Sequence, residues 1–232
     1  MSNCMRPGGL EITKRAFDIC VLPEHAKVLD IGCGHGDTTA YLTREYSFDV
    51  TGMDISAEAV LDAKEKYPEL KFMEGSGDFL DFVSRTFDCV LMECSLSLMP
   101  NPVEAIHEAF CVLKEGGVLI IHDLYIPDPS EEDFDMISQI KKSKAGKEGG
   151  CCEKRVSEHT INGALILNGI YAALAELELE VILFEDRKSD LTNFAASLIF
   201  ENGNMEDYCH MKQAGSRASY FLLIAKKRTD SE

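Results

Sequence analysis

The chain lacks the features that would place a protein in a membrane or on a nucleic acid. Across 232 residues, no apolar run is long enough to cross a bilayer. Lysine and arginine number 23 against 40 aspartates and glutamates, a net charge of -17. Nucleic acids and anionic membranes need a basic face, so this balance disfavours both as partners. Met1 to Arg15 has no apolar core of the kind a signal peptide carries. No two cysteines stand in a C-x-x-C pair, which disfavours a zinc ribbon. The cysteines number nine, and Cys33, Cys89, Cys94 and Cys111 fall within expected core elements. A reducing cytoplasm with mostly free thiols is the expectation.

What is present points to one α/β domain over residues 1–232, with 45% hydrophobic residues to build its core. The organising stretch is Val28-Leu29-Asp30-Ile31-Gly32-Cys33-Gly34-His35-Gly36. Its aliphatic run suits a strand buried inside a parallel sheet. Three glycines at alternate positions then let the backbone turn and let a ligand come close. A helix starts at Asp37-Thr38-Thr39, with Asp37 or Thr38 placed to cap it. Strand, glycine turn and helix start make a nucleotide-type pocket. The spacing is not the G-x-G-x-x-G of a dinucleotide site, which disfavours a nicotinamide-dependent oxidoreductase. Asp30 would repel phosphate and suit an ammonium group.

The remaining elements follow in order. Leu10, Lys14, Phe17 and Val21 recur at helical spacing after a turn, and residues 1–20 read as a flap that could bring Cys4 or Arg6 to a ligand. A second strand ends on Asp54, about 20 residues after Gly32, where an acid receives ribose hydroxyls in open α/β sheets. Ser56 caps a helix over Ala57–Tyr67 that Pro68 stops. A third strand leads into Gly75-Ser76-Gly77-Asp78. A fourth runs Phe87 to Cys94, and a helix opening at Asn101-Pro102 ends at Gly116-Gly117. Val103, Ile106, Phe110 and Leu113 form that helix's buried stripe. A fifth strand ends in His122-Asp123-Leu124-Tyr125. Residues 128–158 read as an inserted lid with some helix near Phe134 to Ile140. Thr160–Leu177 reads as a helix, Leu179–Glu185 and Ser219–Lys226 as strands, and Leu191–Phe200 as a helix.

The acid-then-G-x-G-x-G of Asp30, Gly32, Gly34 and Gly36, with Asp54, the F-D-x-V start at Phe87 and the K-x-G-G turn at Lys114, resembles the class I S-adenosylmethionine-dependent methyltransferases over roughly residues 10–228. The resemblance implies a Rossmann-like α/β fold: a seven-stranded, mostly parallel sheet, its seventh strand antiparallel between the fifth and sixth, with helices on both faces. It implies S-adenosyl-L-methionine as cofactor, bound by Asp30, Gly32, Gly34, Gly36, Asp54, Ile55, Ser76, Gly77, Asp78 and Glu93. The adenine contact is open between Ser76 and Asp78, because the family's G-D pair is replaced by Gly75-Ser76. Methyl transfer to a small-molecule acceptor is the implied reaction. Glu93, His122 and Tyr125, at strand ends beside Cys94 and Asp123, are the catalytic candidates. Cys4, Cys151, Cys152 and Cys209 resemble in a general way the scattered cysteines of arsenite methyltransferases, so a metalloid or thiol acceptor is the alternative. A third reading is a cofactor-binding protein without catalysis.

Overall fold

The structure, a computed structural model, describes residues 6–135, 159–161, 163–202 and 217–229. Val28, Leu29 and Ile31 put β1 (Lys27–Ile31) in the middle of a parallel sheet, buried on both faces. On one side β1 pairs with β2 (Asp49–Asp54), and β2 with β3 (Lys71–Glu74). On the other it pairs with β4 (Phe87–Glu93), and β4 with β5 (Leu113–Tyr125). All four pairings are parallel, so the five strands end on one edge. β9 (Ser219–Lys227) lies antiparallel between β5 and β8 (Leu179–Asp186). This is the expected insertion of a late antiparallel strand. Two further strands, β6 (Thr160–Ile161) and β7 (Ala164–Leu165), form a two-residue hairpin at Tyr125, which raises the strand count above seven.

Helices α1 (Gly9–Cys20), α2 (Asp37–Tyr46), α3 (Ala57–Lys66), α4 (Pro102–Val112), α5 (Leu167–Glu176) and α6 (Lys188–Asn202) surround the sheet. Alternation along β5 divides the core. Leu119 and Ile121 join one cluster with Ile106 of α4 and Leu174 of α5. Ile120 and Leu124 join the other, with Ile12 and Phe17 of α1 and Leu42 of α2. Each such large side chain contributes about 1.5–3 kcal/mol on burial.

Local chemistry moves several boundaries from their expected places. α4 stops at Val112, short of Gly116-Gly117, because Leu113 is already extended and pairs with Phe87. The glycines instead form the irregularity after which Cys89 pairs with Val118, with Gly116 at φ 73°. Consequently the buried face of α4 is Pro102, Ala105, Ile106, Ala109 and Val112, and Cys111 is exposed rather than in the core. On α1 the inward face is Ile12, Thr13, Ala16 and Phe17, whereas Val21 is 82% exposed at φ 41°, beyond the last turn. The segment from Thr160 bends first into the β6–β7 hairpin, with Gly163 at φ 79°, so the helix starts only at Leu167. Neither Asp37 nor Thr38 caps α2. Gly36 holds that position at φ 80° without a side-chain bond, and both side chains are used elsewhere. Ser56 and Asn101 cap α3 and α4 as expected, accepting from the backbone N–H groups of Ala59 and Glu104.

Of the expected flap, residues 6–20 are described, and of the expected lid only 128–135. A helical turn at 131–135 is tied down by Arg217, which reaches Asp133 at 2.6 Å. Cys4, Cys151, Cys152 and Cys209 lie outside the described residues.

Candidate active site

The glycine turn after β1 is pinned to β2. The N–H groups of Gly32 and Cys33 both donate to the carbonyl of Met53, at 2.7 and 3.1 Å. At Gly32 a Cβ would stand 2.3 Å from Cβ of Ser95, so no other residue fits there. Gly34 is different. It has φ 51°, and a Cβ there would meet nothing within 4 Å, because the turn opens into free space. Its N–H donates to Oδ2 of Asp54 at 2.9 Å, while Oδ1 accepts from the N–H of Ser56 at 2.9 Å. Each carboxylate oxygen of Asp54 keeps acceptor capacity for a ligand. Ile55, next in the chain, is 69% exposed, a large apolar surface at the rim of the same opening. On the exit from β3, the Ser76 hydroxyl donates to Asp78. Gly77 packs so tightly that a Cβ would come within 2.7 Å of Met99 Cε.

Asp30 is buried and accepts a hydrogen bond from Thr39 of α2 at 2.7 Å. Burial and the nearby Glu93 charge push its carboxyl up to about 7, against the Thr39 bond. Glu93, at the end of β4, is the hub of the site. Oε1 accepts from Thr13 of α1 at 2.7 Å, and Oε2 from Thr38 of α2 at 2.6 Å. Arg6 lies 2.8 Å from Oε2 and also donates to Thr13 and Thr38. Nε2 of His122 is 2.6 Å from Oε1, though off the line of a good hydrogen bond. Burial raises the affinity of Glu93 for a proton, but Arg6, His122 and Thr38 outweigh it and hold the carboxyl at about 2. Burial pushes His122 down, against the pull of Glu93. On its other side Nδ1 of His122 is 3.0 Å from the hydroxyl of Tyr220, which is 3.0 Å from Sγ of Cys94.

The structure therefore brings together Glu93, His122 and Cys94 of the sequence candidates, and Asp30, Gly32, Gly34, Gly36 and Asp54 around the adjoining turn. It separates Tyr125, which points to the opposite face of β5 and donates to Asp186 of β8 at 2.6 Å. Asp123 accepts from the N–H and hydroxyl of Ser97, holding the turn after β4, and burial pushes it up to about 6. Thr13 and Tyr220 had no signal in the sequence. Each sits in an otherwise ordinary helix or strand pattern, and only the fold carries it to Glu93. Cavities lined by Arg85, Phe110 and Lys227, and by Cys20, Gly117 and Val118, lie at the opposite edge of the sheet. Among the described residues no cluster of three His, Cys, Asp or Glu side chains is arranged to hold a metal ion, and no helix is long and apolar enough to cross a membrane.

An open turn after β1, an acid at the end of β2 and a late antiparallel strand define the class I S-adenosylmethionine-dependent methyltransferase fold. Residues 28–117 match the family model described as "Methyltransferase domain". A demethylmenaquinone methyltransferase of Chlorobaculum tepidum is 33% identical over 101 residues, 44% of this chain and 42% of that one. The chain thus spans less than half the length of that relative. Phosphoethanolamine N-methyltransferase 2 of Haemonchus contortus, solved with S-adenosyl-L-methionine, superposes with a TM-score of 0.73 at 15% identity, covering 98% of this chain and 55% of that one. The [4+2]-cyclase SpnF superposes at 0.67 with 21% identity, covering 98% of this chain and 85% of that one. Both likenesses concern the fold.

Proposed function

We propose that the protein transfers a methyl group from S-adenosyl-L-methionine to a small-molecule acceptor. The observation that carries this reading is the open turn at Gly34, bordered by the unsaturated carboxylate of Asp54 and the exposed Ile55. Asp54 would receive the ribose hydroxyls, Ile55 would lie against the adenine, and Ser76, Gly77 and Asp78 would border its rim. Gly32 and Gly36 hold the turn in shape, Asp30 and Thr39 fix α2 beneath it, and Glu93 closes the methyl end. The cofactor supplies a methyl on a sulfonium that leaves as a neutral thioether. The chain has to position two reactants and exclude water.

The N-terminal segment through α1 would serve as the flap over this site, held by Arg6 and Thr13, and residues 128–158 as the lid on the acceptor side. The acidic surface and unpaired described cysteines favour a cytoplasmic enzyme that does not bind nucleic acid. Calorimetry with S-adenosylhomocysteine, with NAD as control, tests the cofactor assignment. Micromolar binding of the first and none of the second is expected, and the reverse would overturn it. Release of S-adenosylhomocysteine in the presence of a panel of phenols, quinols, amines and thiols tests the transfer.

A further inference from the structure

The buried polar chain behind Glu93 has a direction. Glu93 carries no proton: Arg6, Thr13, Thr38 and His122 all surround its two oxygens, the two threonine hydroxyls donating to it and Arg6 pairing with its charge. Nε2 of His122 stands 2.6 Å from Oε1 without the alignment of a hydrogen bond, and at that separation the carboxylate charge favours the ring proton on Nε2 over a lone pair there. Neutral His122 then has its lone pair on Nδ1, and Tyr220 must donate its one hydrogen there, at 3.0 Å. The alternative acceptor for that hydrogen, the carbonyl of His122, is farther away at 3.5 Å. With its hydrogen spent, Tyr220 can only accept from Cys94, so the thiol donates at 3.0 Å. His122 and Tyr220 are fully buried, whereas Cys94 is the half-buried end of the chain. Cys94 sits at φ 51°, a costly backbone for a residue with a side chain, at the carboxyl end of β4 where the reaction would take place.

We propose that Cys94, Tyr220 and His122 form a proton relay that takes the proton released when an acceptor of the O–H, N–H or S–H type is methylated. The inference rests on the transferase reading above. The acceptor's electron pair forms the new bond to the methyl carbon, and the C–S bonding pair stays on sulfur as the thioether. The acceptor's proton passes to Sγ of Cys94 as the thiol hydrogen moves to the Tyr220 oxygen and the phenol hydrogen to Nδ1. The resulting imidazolium rests against Glu93. Between turnovers the proton returns to solvent along the same path. Cys94 is the group that would touch the acceptor, and Tyr220 and His122 are positioning residues behind it.

The first test needs no substrate. Nitrogen NMR of ring-labelled protein should find His122 protonated on Nε2, with Nδ1 accepting a hydrogen bond, and Tyr220→Phe should shift the Nδ1 resonance toward that of a free lone pair. An Nδ1–H tautomer would overturn the relay. The second test compares acceptors. For an acceptor that carries a labile proton, Tyr220→Phe and Cys94→Ala should lower kcat by about 100-fold or more, with the KM for cofactor unchanged. Cys94→Ser, which keeps a donor and acceptor, should recover most of that loss. A thioether probe such as dimethyl sulfide, which releases no proton, should show no such dependence on these residues. Equal losses with both kinds of acceptor, or no loss with either, would overturn the relay. Calorimetry with S-adenosylhomocysteine separates this failure from failure of the transferase reading: a variant that binds it normally leaves that reading intact.

Discussion

Arg6 and Glu93 form a buried ion pair, 2.8 Å apart, with side chains only 11% and 4% exposed. It joins the segment before α1 to the end of β4, and through Thr38 it reaches the first turn of α2. Removing one member strands the other charge away from water, whereas an exposed pair would lose little. Arg6→Met should therefore destabilise the fold by about 3 kcal/mol, and Arg6→Met combined with Glu93→Gln by less than the sum of the two single changes. Urea unfolding of the four proteins gives the coupling directly. Additive losses would mean that the two side chains do not depend on each other.

Asp54 carries a structural load and, in the proposed site, would face the ligand as well. It accepts the N–H groups of Gly34 and Ser56, so Asp54→Ala loosens the turn as well as removing the proposed acceptor for ribose. Binding of S-adenosylhomocysteine should weaken by roughly 1–3 kcal/mol, the cost of leaving hydroxyls unpaired. Unchanged affinity in calorimetry would remove Asp54 from the site.

Gly34 separates folding from binding. A side chain there points into open space, and its left-handed backbone adds only about 1–2 kcal/mol of strain. Gly34→Val should melt a few degrees lower and lose S-adenosylhomocysteine entirely. At Gly32, where a Cβ would collide with Ser95, the substitution to alanine should instead damage the fold itself. Thermal melts and calorimetry on the two variants distinguish the roles.

Asp30 and Glu93 respond to pH in opposite directions. Asp30 rises from 3.8 to about 7 on folding, so the folded state holds its proton more tightly. Its contribution is full below about pH 4 and is lost as pH rises toward 7. Asp30→Asn should abolish that loss, so the variant should gain stability over the wild type between pH 4 and 7. Glu93 falls from 4.5 to about 2, so its contribution is present above pH 4.5 and is lost as acid is added below that. Denaturant midpoints of the two proteins at pH 4, 5.5 and 7 test the first statement, and parallel curves would contradict it.

Sequence periodicity was enough for the long strands of the sheet but not for the β6–β7 hairpin, which it read as part of a helix. Aliphatic runs such as Val28 to Ile31 and Tyr220 to Ile224 are strand signals in any context, and the glycine turn announces its pocket by spacing alone. Boundaries were harder. The ends of α4 and the start of α5 depend on which neighbouring strand pairs with Leu113 or Ala164, and no local pattern encodes a partner. The same limit applied to the site. His122 and Tyr125 look equivalent in the sequence, but the pleat of β5 sends one toward Glu93 and the other toward Asp186. Tyr220 and Thr13 acquire their roles only when distant elements meet.

The insertion of β9 between β5 and β8 has a consequence for synthesis on the ribosome. β5 and β8 emerge first, and each presents an unpaired backbone edge until residues 219–227 follow. The seam that β9 forms with β5 and β8, on one side of the sheet, therefore cannot close progressively from the amino end. A nascent chain stalled before Ser219 should remain sensitive to protease and recruit chaperones, even with its glycine turn and first four strands already made. Folding of this protein is in that sense delayed by topology, whatever the local stability of its first half.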